Sequence, residues 1–208
     1  MKYEWRKKDK ELYLPKNKPT IIDVPPAKLF SLKGKGNPNN EEFKRVIEAL
    51  YSLSYAIRMM PKKGFTPEGY FEYTVFPLEG IWDLDEEGRQ LSTLDKDKLI
   101  YTLMIRQPDF VTDALFVKAK NSIEKKIAEE LLNNIVFEEI HEGLSVQCLH
   151  VGSYDNEPET FSKMEAFCEE NNIRRESYLH KEIYLSDARR TPTEKLKTVL
   201  RFKVSHNE

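Results

Sequence analysis

The chain is short of the residues that announce most catalytic chemistry. Only two of its 208 residues are cysteine and four are histidine. Cys148 and Cys168 stand alone in apolar surroundings, with neither metal-ligand spacing nor the look of a disulfide framework. They read as small buried residues in a reducing cytoplasm. His141, His150, His180 and His206 show no metal spacing either. His180 and Glu182 share a strand face, but the sequence offers them no third partner, so neither a metal nor a cofactor is expected. The glycines of Gly34-Lys35-Gly36 are not followed by the Gly-Lys-Ser/Thr that cradles a phosphate, and no Gly-x-Ser-x-Gly elbow marks a serine hydrolase.

An excess of one charge is missing too. Lysine and arginine total 33 against 35 acids, a net charge of −2, which excludes a general polyanion binder. Residues 1–18 are rich in lysine, with Tyr3, Trp5 and Tyr13 among them. That leaves no room for a helix-turn-helix, so no direct nucleic-acid contact is expected. Such an arm reads as a solvated extension, with Trp5 and Tyr13 able to fold back over the body. No apolar run approaches membrane-spanning length, and residues 1–12 lack the apolar core of a signal peptide. A cytoplasmic protein with no membrane partner is expected. What the chain does have is ten tyrosines and eleven phenylalanines, enough to fill a core and to line an aromatic site.

Strand patterns fall at 20–24 and 27–33, separated by Pro25-Pro26. Asn40 can cap a helix that opens on Glu41 and Glu42 and runs to about residue 60. Phe43, Val46, Ile47, Leu50, Ser54 and Ile57 form its stripe, with Tyr51 and Tyr55 beside it. Residues 70–76 read as strand, 83–88 as an acidic turn, and Gly80 near Trp82 suggests close backbone packing beside a large ring. Residues 98–106 are the clearest strand, with Tyr101, Leu103 and Ile105 on one face. A second helix is expected over 112–133, burying Phe116, Ile123, Ile127 and Leu131. Residues 136–140 and 144–151 read as a hairpin, and a third helix opens on Glu157-Pro158-Glu159. In the strand 180–185, alternation puts His180, Glu182 and Tyr184 on one face and Lys181, Ile183 and Leu185 on the other. A carboxylate beside a phenol there is either the solvated face of an edge strand or the floor of a ligand site.

Residues 32–50 and 149–167 rhyme: strand end, glycine-containing turn, acidic helix start, then apolar residues at similar spacing. Each is followed by two strands, so the pattern β-α-β-β occurs twice. The expected fold class is α+β, a tandem βαββ repeat with pseudo-twofold symmetry, helices on one side and a ligand groove between the halves. Residues 1–18 are then an N-terminal arm, and 19–208 a single domain with halves at about 19–110 and 136–208 joined by a helix. Ile183 is expected to meet the helix side, leaving Glu182 and Tyr184 to the free face.

Four blocks carry a resemblance: Pro77-Leu78-Glu79-Gly80-Ile81-Trp82, Arg106-Gln107-Pro108-Asp109-Phe110-Val111-Thr112, Gln147-Cys148-Leu149-His150-Val151-Gly152-Ser153-Tyr154 and His180-Lys181-Glu182-Ile183-Tyr184-Leu185-Ser186-Asp187. With the repeat, they resemble the GyrI-like small-molecule-binding superfamily over roughly residues 18 to 204, and more narrowly its stand-alone branch that includes the cyclopropanoid cyclopropyl hydrolases. Lys181 stands where a second histidine is common, and Ala188 where proline is common. The resemblance implies an SHS2-like fold and an aromatic groove with an acid at its centre. It makes Glu182 the general base and Tyr184 a donor, and puts Trp82 and Phe110 on the wall. Tyr55, Tyr73, Tyr101 and Tyr154 are further substrate-binding candidates. Glu79 is a possible second acid whose direction the sequence leaves open. The implied activity is hydrolysis of the cyclopropane in flat, DNA-alkylating natural products. The alternative is a multidrug-binding or sequestering protein in which Glu182 is a counter-charge. The expected partners are small planar apolar or cationic ligands; the sequence does not fix an oligomeric state.

Overall fold

The structure is a computed structural model and describes residues 2–207. In chain order its elements are α1 (Trp5–Lys8), α2 (Lys10–Tyr13), β1 (Thr20–Val24), β2 (Ala27–Lys35), α3 (Glu41–Arg58), β3 (Leu78–Leu84), β4 (Leu99–Arg106), α4 (Asp113–Ile123), α5 (Glu129–Asn134), β5 (Val136–Ile140), β6 (Gly143–Val151), α6 (Glu157–Glu170), β7 (Ile173–Arg175), β8 (His180–Tyr184) and β9 (Lys197–His206). The fold is α+β with antiparallel pairing in each of its two compact units.

The first unit comprises Ala27–Leu78 and Asp83–Ile140, with a short N-terminal piece ending at Glu4. Here β2 is central, pairing with β4 (Leu32 opposite Leu103) and with β5 (Phe30 opposite Phe137). The stripe of α3 packs on β2 and β4, burying Phe43, Val46, Leu50, Leu53 and Ile57. Gly34 is required where it stands: a Cβ there would lie 2.5 Å from the ring of Tyr101.

Three expectations fail in this unit. The second helix is broken between Ile123 and Glu129, so its buried face shifts register, to Leu115, Ala119 and Ile123 before the break and Leu132 after it. Ile123 and Ile127 are buried as expected, on either side of the exposed Glu124-Lys125-Lys126 run where the helix stops. Residues 70–76 form no strand, and Tyr73 makes only an isolated bridge with Tyr3; the strand lies at Leu78–Leu84, extending into the expected turn. Finally, β5 and β6 are not a hairpin, since β5 pairs with β2 while β6 pairs with β1 and β9.

The second unit comprises Trp5–Pro26, Glu79–Trp82 and the chain from His141 onward. Its sheet runs β1, β6, β9, β8 and then the Glu79–Trp82 stretch of β3, with β7 also pairing β9. β8 is therefore not an edge strand, and the solvated-edge reading of Glu182 fails. One sheet face carries α6, whose Met164 and Cys168 pack with Val146, Cys148, Ile173, Leu200 and Phe202. Glu182 is registered opposite Leu200, so its side chain lies on the helix-bearing face, contrary to expectation.

The other face is not free. It carries Lys181, Arg201 and Gln147, and the N-terminal segment covers it. Arg201 donates to the Leu12 carbonyl at 2.6 Å, and the Gln147 amide donates to the Glu11 carbonyl at 2.6 Å. Trp5 and Tyr13 are buried, so this stretch is not a solvated extension; its carbonyls satisfy polar groups that would otherwise be stranded. Lys181 also bonds Glu79 at 2.8 Å and ion-pairs with Glu142. Burial opposes the charge on Lys181, but the two carboxylates outweigh it and raise its pKa. Burial likewise opposes the charge on Glu142, and there Lys181 and Arg201 prevail and hold the carboxyl low.

Candidate functional site

The site is built where the start of α6 meets β8, within the second unit. Gly152, at φ +130°, turns the chain out of β6 in a conformation few other residues adopt. His150 then fixes the loop, one ring nitrogen 2.9 Å from the Ser153 carbonyl and the other 2.9 Å from the Thr160 hydroxyl. The Ser153 side chain accepts from the Asp155 amide, closing a single turn over Tyr154–Asn156 that delivers Glu157 to the first position of α6. Opposite, the period of β8 brings His180, Glu182 and Tyr184 to one face, as the alternation predicts.

Glu182 is buried and held by both oxygens. Its Oε2 accepts from the Tyr184 hydroxyl at 2.8 Å, and its Oε1 lies 3.1 Å from His180 Nε2. Tyr184 in turn accepts from the Trp82 indole N–H at 2.8 Å. Trp82 stands opposite His180, and Gly80 opposite Glu182, so no side chain at Gly80 blocks the indole from reaching Tyr184. Tyr154 meets Tyr184 edge-on with ring centroids 6.1 Å apart, and Phe161 meets the His180 ring at 4.8 Å. The Glu182 side chain keeps 11% exposure and that of His180 keeps 22%.

A second carboxyl completes the site. Glu157, Glu182 and His180 each place one ligand atom within 4.8 Å of the others. Glu157 is buried, and its Oε1 has no hydrogen-bond partner. Burial, then the charge of Glu182 and a hydrogen bond with it, push its carboxyl up to about 9. The positive end of α6 favours a charged Glu157 by roughly 0.3–1 kcal/mol, too little against two carboxyls in contact. Near neutrality Glu157 therefore keeps its proton. Tyr154 is pushed up to about 12 by burial and by Glu182, and burial with the same carboxylate raises Tyr184, so both phenols stay protonated. Each of the three groups also offers one ligand atom to a cation, Glu157 being the third partner that the sequence seemed to lack.

Of the residues expected at the site, Glu182, Tyr184, Trp82 and Tyr154 come together here. Tyr55, Tyr73, Tyr101 and Phe110 belong to the first unit. There Tyr73 and Phe110 join Tyr70 and Phe71 in a ring cluster, Tyr101 packs edge-on against Phe43, and Tyr55 is exposed on α3. Glu79 is no second acid beside Glu182: it faces Lys181 and accepts from Tyr13 on the opposite side of the sheet. Sequence reasoning missed Glu157. An acid in the first turn of a helix is what the helix dipole favours anywhere, so its sequence context gave no sign of a site.

The model of the GyrI-like small molecule binding domain matches residues 17–205. Two solved structures, a hydrolase from Listeria innocua and a hydrolase encoded by lin2189 from the same organism, are similar along their full length. They share 34% and 35% identity, cover 98% and 99% of this chain and 100% of their own, and superpose with TM-scores of 0.88 and 0.90. The EcmrR C-terminal domain shares the fold at 12% identity and a TM-score of 0.54, over 94% of this chain and 99% of its own. A comparison with curated proteins found no match.

Proposed function

This chain belongs to the GyrI-like small-molecule-binding family, and from that membership we propose that it is a hydrolase of flat, strained-ring compounds with Glu182 as its general base. The observation that carries the reading is a buried carboxylate held on both oxygens beside the hydrogen-bonded Trp82–Tyr184 pair. The hydrolases named above, at 34–35% identity over essentially the whole chain, support the reaction class.

The substrate class proposed is a cyclopropane fused to a dienone, as in DNA-alkylating cyclopropanoid natural products, and its hydrolysis in the cytoplasm would detoxify them. Water attacks the ring methylene, and the breaking carbon–carbon bond sends its electron pair into the dienone, which becomes a phenolate. Glu182 takes the proton from water, a positioned base being worth roughly 10²–10⁴-fold. Tyr184 orients Glu182 by donating to it. Rings such as Tyr154 and Tyr184 stack the substrate at about 0.5–1.5 kcal/mol each beyond area burial.

A second reading is sequestration, with Glu182 as counter-charge for a cation. The aromatic rings around an acid favour it, but a neutral Glu157 leaves one negative charge rather than two, which suits an uncharged substrate better. Glu182→Gln separates the readings: ligand affinity, measured by fluorescence quenching, is retained, while cyclopropane turnover falls by about 100-fold or more. Full turnover by that variant would refute the base assignment.

A further inference from the structure

Buried carboxyls occur on both faces of the sheet around β8. Those on the far face, Glu79 and Glu142, are matched by Lys181 and Arg201. On the near face, the charged groups that act on Glu157 are themselves acids, Glu182 and Asp155. Glu157 is only 7% exposed, and its Oε1 has no hydrogen-bond partner. A buried polar atom left bare is costly, and a bound ion is one of the few things that satisfies it. Glu157, His180 and Glu182 each place a ligand atom within 4.8 Å of the others. We propose that these three side chains bind a divalent cation of the zinc class.

One imidazole and two carboxylates select the ion. Calcium and magnesium take oxygen ligands, whereas imidazole suits zinc, which accepts carboxylates beside it. Zinc bonds of about 2.0–2.2 Å put tetrahedral ligands about 3.4 Å apart. His180 Nε2 and Glu182 Oε1 already stand 3.1 Å apart, so the closure falls to the Glu157 carboxyl and needs only a side-chain rotation. Neighbouring contacts aim the other two ligands. Tyr184 donates to Glu182 Oε2, which leaves Oε1 toward His180, and Phe161 packs edge-on against the His180 ring at 4.8 Å. Outer contacts of this kind orient the ligands in metal sites. Two carboxylates in contact repel each other out of water, and a doubly charged ion neutralises both at once. The inference does not require Glu182 to be a general base. It adds a consequence for that reading: a carboxylate that ligates zinc cannot also take a proton from water, so zinc opposes the hydrolysis proposed above.

The test treats the purified chain with EDTA, dialyses the chelator away, and titrates the protein calorimetrically with zinc chloride, with magnesium and calcium chlorides as controls. The expected result is one zinc per chain and no measurable binding of magnesium or calcium. Cobalt(II) gives the strong visible absorption of a four-coordinate centre, which added zinc abolishes. Glu157→Gln and His180→Ala each lower zinc affinity by more than about 100-fold, since even a residue that only orients a ligand contributes about 10–100-fold. His206→Ala, outside the set, leaves the affinity unchanged. In the wild type, excess zinc raises the midpoint of thermal unfolding with the logarithm of its concentration; this arm holds even where a variant folds poorly. Saturating zinc suppresses opening of a dienone-fused cyclopropane, and EDTA restores it. A chain that opens the cyclopropane but binds no zinc overturns this inference alone. One that binds zinc through these residues but opens no cyclopropane supports it and overturns the hydrolase reading. Zinc binding that survives both Glu157→Gln and His180→Ala, or cyclopropane turnover that saturating zinc leaves unchanged, overturns the ligand assignment.

Discussion

Glu157 and Glu182 are unexceptional glutamates until the fold puts their carboxyls within 4.8 Å of one another. Their pairing makes stability depend on pH with a definite sign. Glu157 goes from an ordinary value of 4.5 to about 9 in the folded chain. Between those values the unfolded chain has released a proton that the folded chain still holds, so this group's contribution is full below the lower value and is lost as pH rises through the upper one. Glu157→Gln has no proton to lose. Thermal unfolding at pH 5 and pH 8 is expected to show the variant gaining on the wild type at the higher pH; parallel behaviour at both would contradict the shift. Tyr184→Phe removes the donor to Glu182 and the acceptor of the Trp82 N–H together. Stranding a buried donor costs about 1–3 kcal/mol, so urea unfolding should show that loss, with a larger fall in kcat than in ligand affinity.

At the scale of elements, β8 separates two tasks on its two faces. His180, Glu182 and Tyr184 serve the site, while Lys181 neutralises Glu79 and Glu142 on the far side. Lys181→Met removes the cation paired with Glu79 and one of the two paired with Glu142, and breaking a buried ion pair costs about 3–5 kcal/mol. Urea unfolding reads that cost, and an unchanged midpoint would contradict the network. Alternation made the grouping of side chains legible, since a period of two holds wherever the strand is placed. It did not reveal which face meets α6. The register with β9 and the N-terminal segment decide that, and both are non-local. A hydrophobic Ile183 suggested the helix side, yet it lies on the face whose polar groups are capped by the carbonyls of Glu11 and Leu12. The same limit explains Glu157. Its place at the head of a helix was legible from Pro158 and the turn before it, but its meeting with Glu182 is a tertiary fact. Likewise 136–140 and 144–151 were legible as strands, and only their partners were not.

For the whole molecule, the near-neutral charge and the family agree with small-molecule recognition. Among the described residues no helix is long and apolar enough to cross a membrane. Four blocks of sequence were enough to find the family, because a strand carrying an acid and a phenol, a Trp near a Gly, and a turn at Gly152 are local features. The chemistry depends on how those blocks are brought together in the second unit. The central claim is that Glu182 turns substrate over rather than merely holding it, and counting product per protein molecule tests it most directly. With a dienone-fused cyclopropane in large excess, the hydrolase reading predicts many molecules of ring-opened alcohol per molecule of wild-type protein and almost none for Glu182→Gln. Protection that stops at one ligand per protein molecule, with no alcohol formed, would contradict it.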